Sequence, residues 1–398
     1  MPVGKRLQTR ENFAVAKKAG RGGARSRDVA SPSVSDLDAG AATKVEGRRP
    51  GVLELVQESR EELAQSFFDK EYKASEKIIV VGIACRSLCR ALAGSLGRDG
   101  SLMPGSSGTL TREIESRLHV EVVMVHPLSD FAEVRAKEES RKELKARVWE
   151  SIEEIWKVSE ALRSPSNGEA HDASRDIRGS LTVRLTRRNP YFSLFRSIHS
   201  EGGSDSMLYG PLLQGKQGGK SPHFRGTSGT LNAFFDDIQA HCALLREESH
   251  LLFEWRSPPV FQRIQVAACS FTSGDFSCVA AVRAALQKNT PMDVWVDEDA
   301  ARVGRPWYES FRGGADTLPC GLVFVGRECS PNQLAEIKWF RQTKKIVIPV
   351  FLVDPGSASD KWPPGEWEVL RNLPHHRLEQ SQVSAADVSK LKNLILRS

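Results

Sequence analysis

No stretch of this sequence is apolar for long enough to cross a bilayer. The longest apolar runs, such as 346–353, fall well short of the roughly 20 residues a spanning helix needs. No apolar leader segment follows the N-terminus either, so a cytoplasmic protein without a membrane partner is expected. The seven cysteines form no CxxC pair, and their odd number argues against a disulfide framework. Cys85, Cys269 and Cys320 fall inside apolar runs and read as buried thiols in a reducing compartment. The nine histidines include no HExxH and no zinc-ligand spacing, so no metal is expected. The adjacent His375 and His376 read as a solvated pair in a loop.

Acids and aromatics are nearly missing from residues 1–27, which hold eight Lys/Arg against the single acid Glu11. Such a segment cannot bury enough apolar surface to offset its ordering entropy, so residues 1–50 are expected to be a disordered basic tail. Nucleic acid enters as a partner only through this tail, where Lys/Arg clusters attract phosphate. A transit peptide or a plainly solvated tail fits the same composition.

The remaining chain is long enough for more than one core, with a soluble balance of 40% hydrophobic and 27% charged residues. Residues 51–256 read as an N-terminal α/β domain. Helical spacing is expected over 51–75, 86–96, 110–118, 133–162 and 230–255. Strands are expected at 77–84, 120–125, 181–185, 191–198 and 207–213. Ser257-Pro258-Pro259 reads as a hinge. Beyond it the pattern turns regular. Strands at 264–271, 292–296, 321–325 and 346–353 alternate with helices near 276–286, 307–311 and 330–341. That alternation predicts a flavodoxin-like, doubly wound parallel sheet over 262–380. Residues 384–398 form a capped amphipathic helix with Val388, Leu391 and Ile395 on one face.

In such a sheet, ligands bind beyond the carboxyl ends of the strands. Ser270, Phe271, Thr272 and Asp275 follow the first strand, where backbone amides can hold an anion and Asp275 can equally cap a helix. Trp295, Asp297, Gly304 and Trp307 follow the second, and the two indoles can stack on a planar ring. The third segment starts a helix: Ser330 suits the N-cap, Pro331 the first turn, and Gln333 a capping box. Glu336 then lies in the second turn, with Leu334, Ile337 and Phe340 inward and Trp339 three residues on. A carboxylate there can stabilise positive charge developing on a ribose, as in glycoside cleavage. A surface glutamate on an amphipathic helix meets the same pattern.

Three ordered segments carry a family resemblance. AACSFTSGD resembles the first box of TIR (Toll/interleukin-1 receptor) domains at Ser270, Phe271, Thr272 and Asp275. VWVDEDAARVGRPW resembles the second at Trp295, Asp297, Gly304 and Trp307. SPNQLAEIKWF with IVIPVFL resembles the third at Ser330, Pro331, Glu336, Trp339 and Pro349. The chain departs from the family at Asn332-Gln333 and at Ala267-Ala268. The resemblance implies an NAD+ hydrolase splitting nicotinamide from ribose, with NAD+ as substrate and no other cofactor. It places the catalytic group at Glu336 and substrate contacts at Ser270, Phe271, Thr272, Trp295, Asp297, Gly304, Trp307 and Trp339. It further implies self-association through TIR contacts and a role in bacterial antiphage defence. The alternative is a non-enzymatic TIR adaptor. A nucleoside-processing enzyme of related fold also uses a helix carboxylate.

The N-terminal region resembles bacterial phospholipase D-like domains at Gly82-Ile83, Arg86-Ser87, Pro127, Ser129-Asp130 and Tyr209-Gly210. It lacks that family's HxKxxxxD signature: His199 precedes Ser200-Glu201, and His223 precedes Phe224-Arg225. The resemblance therefore implies a sensing or oligomerising module for an unidentified ligand or protein. Arg86, Arg184, Arg187, Arg188 and Arg196 are candidates for holding a phosphate, or solvated strand-face charges.

Overall fold

Apolar side chains on both faces of a strand demand cover from two layers. Strand β2 (Ser75–Gly82) has this character, with Ile78 and Val80 in one core cluster and Val81 in another. The neighbouring β3 (His119–Val125) repeats it through Val120, Val122 and Met124 against Val123. The computed structural model describes residues 54–56, 65–94, 108–138, 144–163, 177–199, 205–212, 223–227, 232–256, 258–297, 307–356, 361–378 and 383–397. The expected basic tail and the segment holding Gly304 lie outside these residues.

The first sheet has nine strands in the order β1 (Glu54–Val56), β7 (His223–Thr227), β6 (Ser206–Pro211), β5 (Phe192–His199), β2, β3, β4 (Ser180–Thr186), β8 (His250–Trp255) and β9 (Val260–Phe261). Strands β2, β3 and β4 run parallel, and the flanking pairs are antiparallel. Helices α1 (Gln65–Ala74), α2 (Arg86–Ala93), α3 (Thr109–Ser116) and α5 (Leu144–Arg163) cover one face through Phe68, Leu88, Ile114 and Ile152. Helix α6 (Asn232–Glu247) covers the other through Ile238 and Leu245. Helix α4 (Asp130–Glu138) follows β3.

The second sheet is wholly parallel, in the order β11 (Met292–Trp295), β10 (Ile264–Ser270), β12 (Cys320–Val325), β13 (Ile346–Phe351), β14 (His376–Arg377). Counted from its own first strand this is 2-1-3-4-5, the flavodoxin-type doubly wound order. Helices α7 (Phe276–Asn289) and α11 (Ala385–Arg397) pack on one face through Val279, Val282, Leu286, Leu391 and Ile395. Helices α8 (Trp307–Ala315), α9 (Pro331–Gln342) and α10 (Pro364–Asn372) pack on the other through Phe311, Ile337, Phe340 and Leu370. Residues from 49 onward form one compact unit, and Lys392 of α11 reaches Glu153 of α5 at 2.6 Å. No helix among the described residues is long and apolar enough to cross a membrane.

Several expectations need correction. The helix expected over 51–75 gives way to the three-residue edge strand β1 before α1, too short for any period to mark. The helix expected over 133–162 is two, α4 and α5. The one expected over 230–255 ends at Glu247, and 250–255 form β8. Leu251, Leu252 and Phe253 continue an apolar run that suits either structure, and pairing with β4 decides the outcome. His376 is not solvated: it is 5% exposed, sits on β14 and faces Asp387 at 3.0 Å. The C-terminal helix is capped as expected. The Ser384 hydroxyl accepts from the Asp387 amide, and the Asp387 carboxylate accepts from the Ser384 amide.

Candidate functional site

In a doubly wound sheet the ligand crevice is expected where adjacent connections leave in opposite directions, here at the carboxyl ends of β10 and β12. The α7 connection leaves β10 toward one face, and the α9 connection leaves β12 toward the other. The residues flanking this point are Ser270 to Asp275 after β10 and Gly326 to Ser330 after β12.

Helix α9 begins as its sequence dictates. The Ser330 hydroxyl accepts from the Gln333 amide at 3.1 Å, and Pro331 occupies the first turn. Gln333 does not close the expected capping box. Its side chain is fully buried and its amide donates to the Phe324 carbonyl at 2.7 Å and the Ser270 carbonyl at 3.4 Å. The helix is thereby tied to the ends of both central strands. This fixes Glu336, one turn further on, over the carboxyl edge of the sheet.

Glu336 is partly buried, and its carboxyl pKa is pushed from the ordinary 4.5 up to about 7. Burial is the largest cause, and the negative charge of Asp297 at the end of β11 adds to it. The Ser270 hydroxyl faces the carboxylate and pulls in the opposite direction. It does so without a hydrogen bond of good geometry, leaving a buried hydroxyl without a proper partner beside a carboxylate. Such a pair is poised to receive a polar ligand group.

A second carboxylate lies at the turn after β10, against the turn after β12. Asp275 does not cap α7 through its side chain. It accepts from the Thr272 hydroxyl at 2.7 Å and lies against Gly326, where an added Cβ would come within 2.5 Å of its oxygens. Burial raises its pKa too, and exposed Glu328 contributes in the same direction. The Trp362 indole donates to the Gly326 carbonyl at 3.0 Å and fixes the same turn. Phe271 and Phe276 flank it, their rings 6.0 Å apart, with Phe276 exposed.

The structure therefore brings Ser270, Glu336 and Asp297 together, with Thr272 and Phe271 at the adjoining turn. It sends Trp295 and Trp339 elsewhere. Trp295 packs edge-on to Phe311, its ring lying where a Cβ at Gly314 would stand. Trp339 is 3% exposed and contacts Phe311 and Phe340 in the core, with Lys345 over its ring. Trp307 starts α8, and Gly304 lies outside the described residues. Two site members were not singled out from sequence: Gln333 as the buried tie and Asp275 as a raised carboxylate. Asp275 did belong to the first TIR-like box.

Of the five arginines named in the first sheet, Arg86 pairs with Glu150 at 3.1 Å, Arg196 with Asp205 at 2.8 Å, and Arg188 with Glu248.

Fold and site together define an α/β protein whose doubly wound parallel sheet carries ionisable carboxylates at its carboxyl edge. No protein-family model matches the chain, and no curated protein matches its sequence.

Proposed function

We propose that the chain is an NAD+ hydrolase of TIR type, with Glu336 as its catalytic residue. The observation that carries this is a carboxylate on the helix that follows β12 whose affinity for a proton is raised by burial and by Asp297. A structural surface glutamate has no need of either.

The nicotinamide of NAD+ is cationic, and acidic Asp297 and Glu336 favour it electrostatically. In the reaction the bond between nicotinamide nitrogen and ribose carbon breaks, and its electron pair leaves with neutral nicotinamide. The ribose becomes oxocarbenium-like, and an ionised Glu336 close to the ring stabilises that charge in a site of low polarity. Water then adds to the ribose carbon and releases its proton, giving ADP-ribose. Ser270, at the same edge, is placed to orient a ribose hydroxyl. Phe271 and Phe276 offer rings for base stacking. TIR-type activity typically requires assembly, and self-association is part of this proposal.

The test is direct. Concentrated protein is incubated with NAD+ and nicotinamide release is followed for the wild type and Glu336→Ala. Release by the wild type that falls at least ~100-fold in the variant supports hydrolysis. No release from either protein, in any assembled state, leaves the adaptor role as the better account. Cleavage of nucleosides but not NAD+ would point to the nucleoside-processing alternative.

A further inference from the structure

Helix α6 does not close completely onto the first sheet. Between it and strands β2, β3, β5 and β6 a cavity of about 190 Å³ remains. That is space for about six waters at roughly 30 Å³ each, or for one small organic molecule. Its floor is apolar, built from Val123, Leu194 and Met207, and α6 contributes Ile238 and Cys242. Burial pushes the Cys242 thiol up to about 12, so this wall stays neutral at physiological pH.

Among the described residues that line the cavity, cations outnumber carboxylates. Arg196 donates to Asp205 at 2.8 Å and to the Gln239 side-chain oxygen at 3.3 Å. Lys77 and Arg246 are left to share a single carboxylate, Glu121, at 3.5 Å and 2.9 Å. The Glu121 side chain is only 12% exposed, whereas Lys77 and Arg246 are 38% and 43% exposed. One largely buried carboxylate is thus bracketed by two cations that border both solvent and the apolar floor, which leaves one positive charge in excess among these three described residues.

We propose that this cavity binds a small organic anion, its apolar body on the Leu194–Met207–Ile238 floor and its carboxylate or phosphate head between Lys77 and Arg246. The head group would complete the ion cluster by charge-assisted hydrogen bonds, and the body would replace water on the apolar surface. The site lies on the first sheet and involves no residue of the Glu336 crevice.

Four probes on the full chain test this by isothermal titration at neutral pH: octanoate, hexyl phosphate, octanol and hexylammonium. The expected result is one-to-one binding of at least one anion, with Kd below about 1 mM and at least ~10-fold tighter than octanol. Whichever anion binds better identifies the head group as carboxylate or phosphate. Exposed Arg246→Gln should weaken that anion by about 10-fold without changing octanol binding or the circular dichroism of the protein. Ala243→Phe, which fills the cavity from α6, should abolish binding. Should that variant fail to fold, the paired Lys77→Gln and Arg246→Gln substitutions decide in its place. The proposal is overturned if none of the four probes binds, if octanol or hexylammonium binds as tightly as the anions, or if anion binding survives both charge-removing substitutions.

Discussion

Replacing Glu336 by Gln should make the protein more stable, by an amount that grows as pH rises from about 4.5 to about 7 and then levels off. The glutamate's pKa rises from the ordinary 4.5 to about 7 on folding because burial and Asp297 oppose its charge. A raised acid pKa means the folded state holds the proton more tightly than the unfolded chain. Stability from this group is complete below about pH 4.5 and is lost as pH rises through about 7. At about 1.4 kcal/mol per tenfold change, the full cost of the charge above pH 8 is roughly 3 kcal/mol. Residual solvent contact at this partly exposed group brings the expected figure to about 1–3 kcal/mol. Gln keeps the shape, has no charge for Asp297 to repel, and can accept from the Ser270 hydroxyl. Urea unfolding at pH 5 and pH 8.5 measures the effect. The variant should gain about 1–3 kcal/mol over the wild type at pH 8.5 and only about a quarter of that at pH 5. Equal stabilities at both values, or a variant weaker at pH 8.5, would refute the claim that this carboxylate is held against its preference. A residue kept at such a cost belongs with function more than with stability.

Other perturbations test the surrounding frame. Gln333→Ala removes the amide that donates to the Phe324 and Ser270 carbonyls, leaving both buried without it; chemical denaturation should show a loss of about 1–3 kcal/mol. Gly314→Ala places a methyl within 2.2 Å of the Trp295 ring, so the indole must move. A loss of about 1–3 kcal/mol and an altered near-ultraviolet dichroism spectrum should follow. His126, buried at the end of β3, has its pKa depressed to about 3 by burial and by Arg187. Because the unfolded chain takes up the proton first, this group's contribution to stability should fall as pH drops below 6.5, by on the order of 3 kcal/mol at pH 4. Glu336 shifts the wild type and His126→Gln alike, so the prediction is a difference: the melting temperature of the wild type should fall progressively behind that of His126→Gln between pH 6.5 and 4.

The second sheet was legible because its strands are buried on both faces and separated by turn signals at regular spacing. Runs such as Ile346–Phe351 leave little choice of structure. The strand order follows from short right-handed crossovers. Helix α9 was legible for a different reason: Ser330 and Pro331 mark its start chemically, and Glu336 follows by counting. The inward turn of Gln333 was not legible, since a glutamine three residues past an N-cap reads equally as a capping partner. The place of Trp339 was ambiguous as well, because a tryptophan three residues past Glu336 can face substrate or core. Here the space beside Phe311 and Phe340 takes it. In the first sheet, β1, β7 and β9 are too short for a local period to reveal them, and β1 pairs with β7 far along the chain. The cavity under α6 was likewise invisible, because Lys77, Glu121 and Arg246 meet only through tertiary pairing.

The pH dependence of nicotinamide release bears most directly on Glu336. If an ionised Glu336 stabilises the departing ribose, the initial rate with NAD+ well below its KM should climb with pH through a midpoint near the carboxyl's pKa of about 7. Glu336→Gln, folded and assembled like the wild type, should give a flat profile at least ~100-fold lower. A wild-type rate that ignores pH between 5 and 9, or a Gln variant that releases nicotinamide as fast as the wild type, would contradict the account.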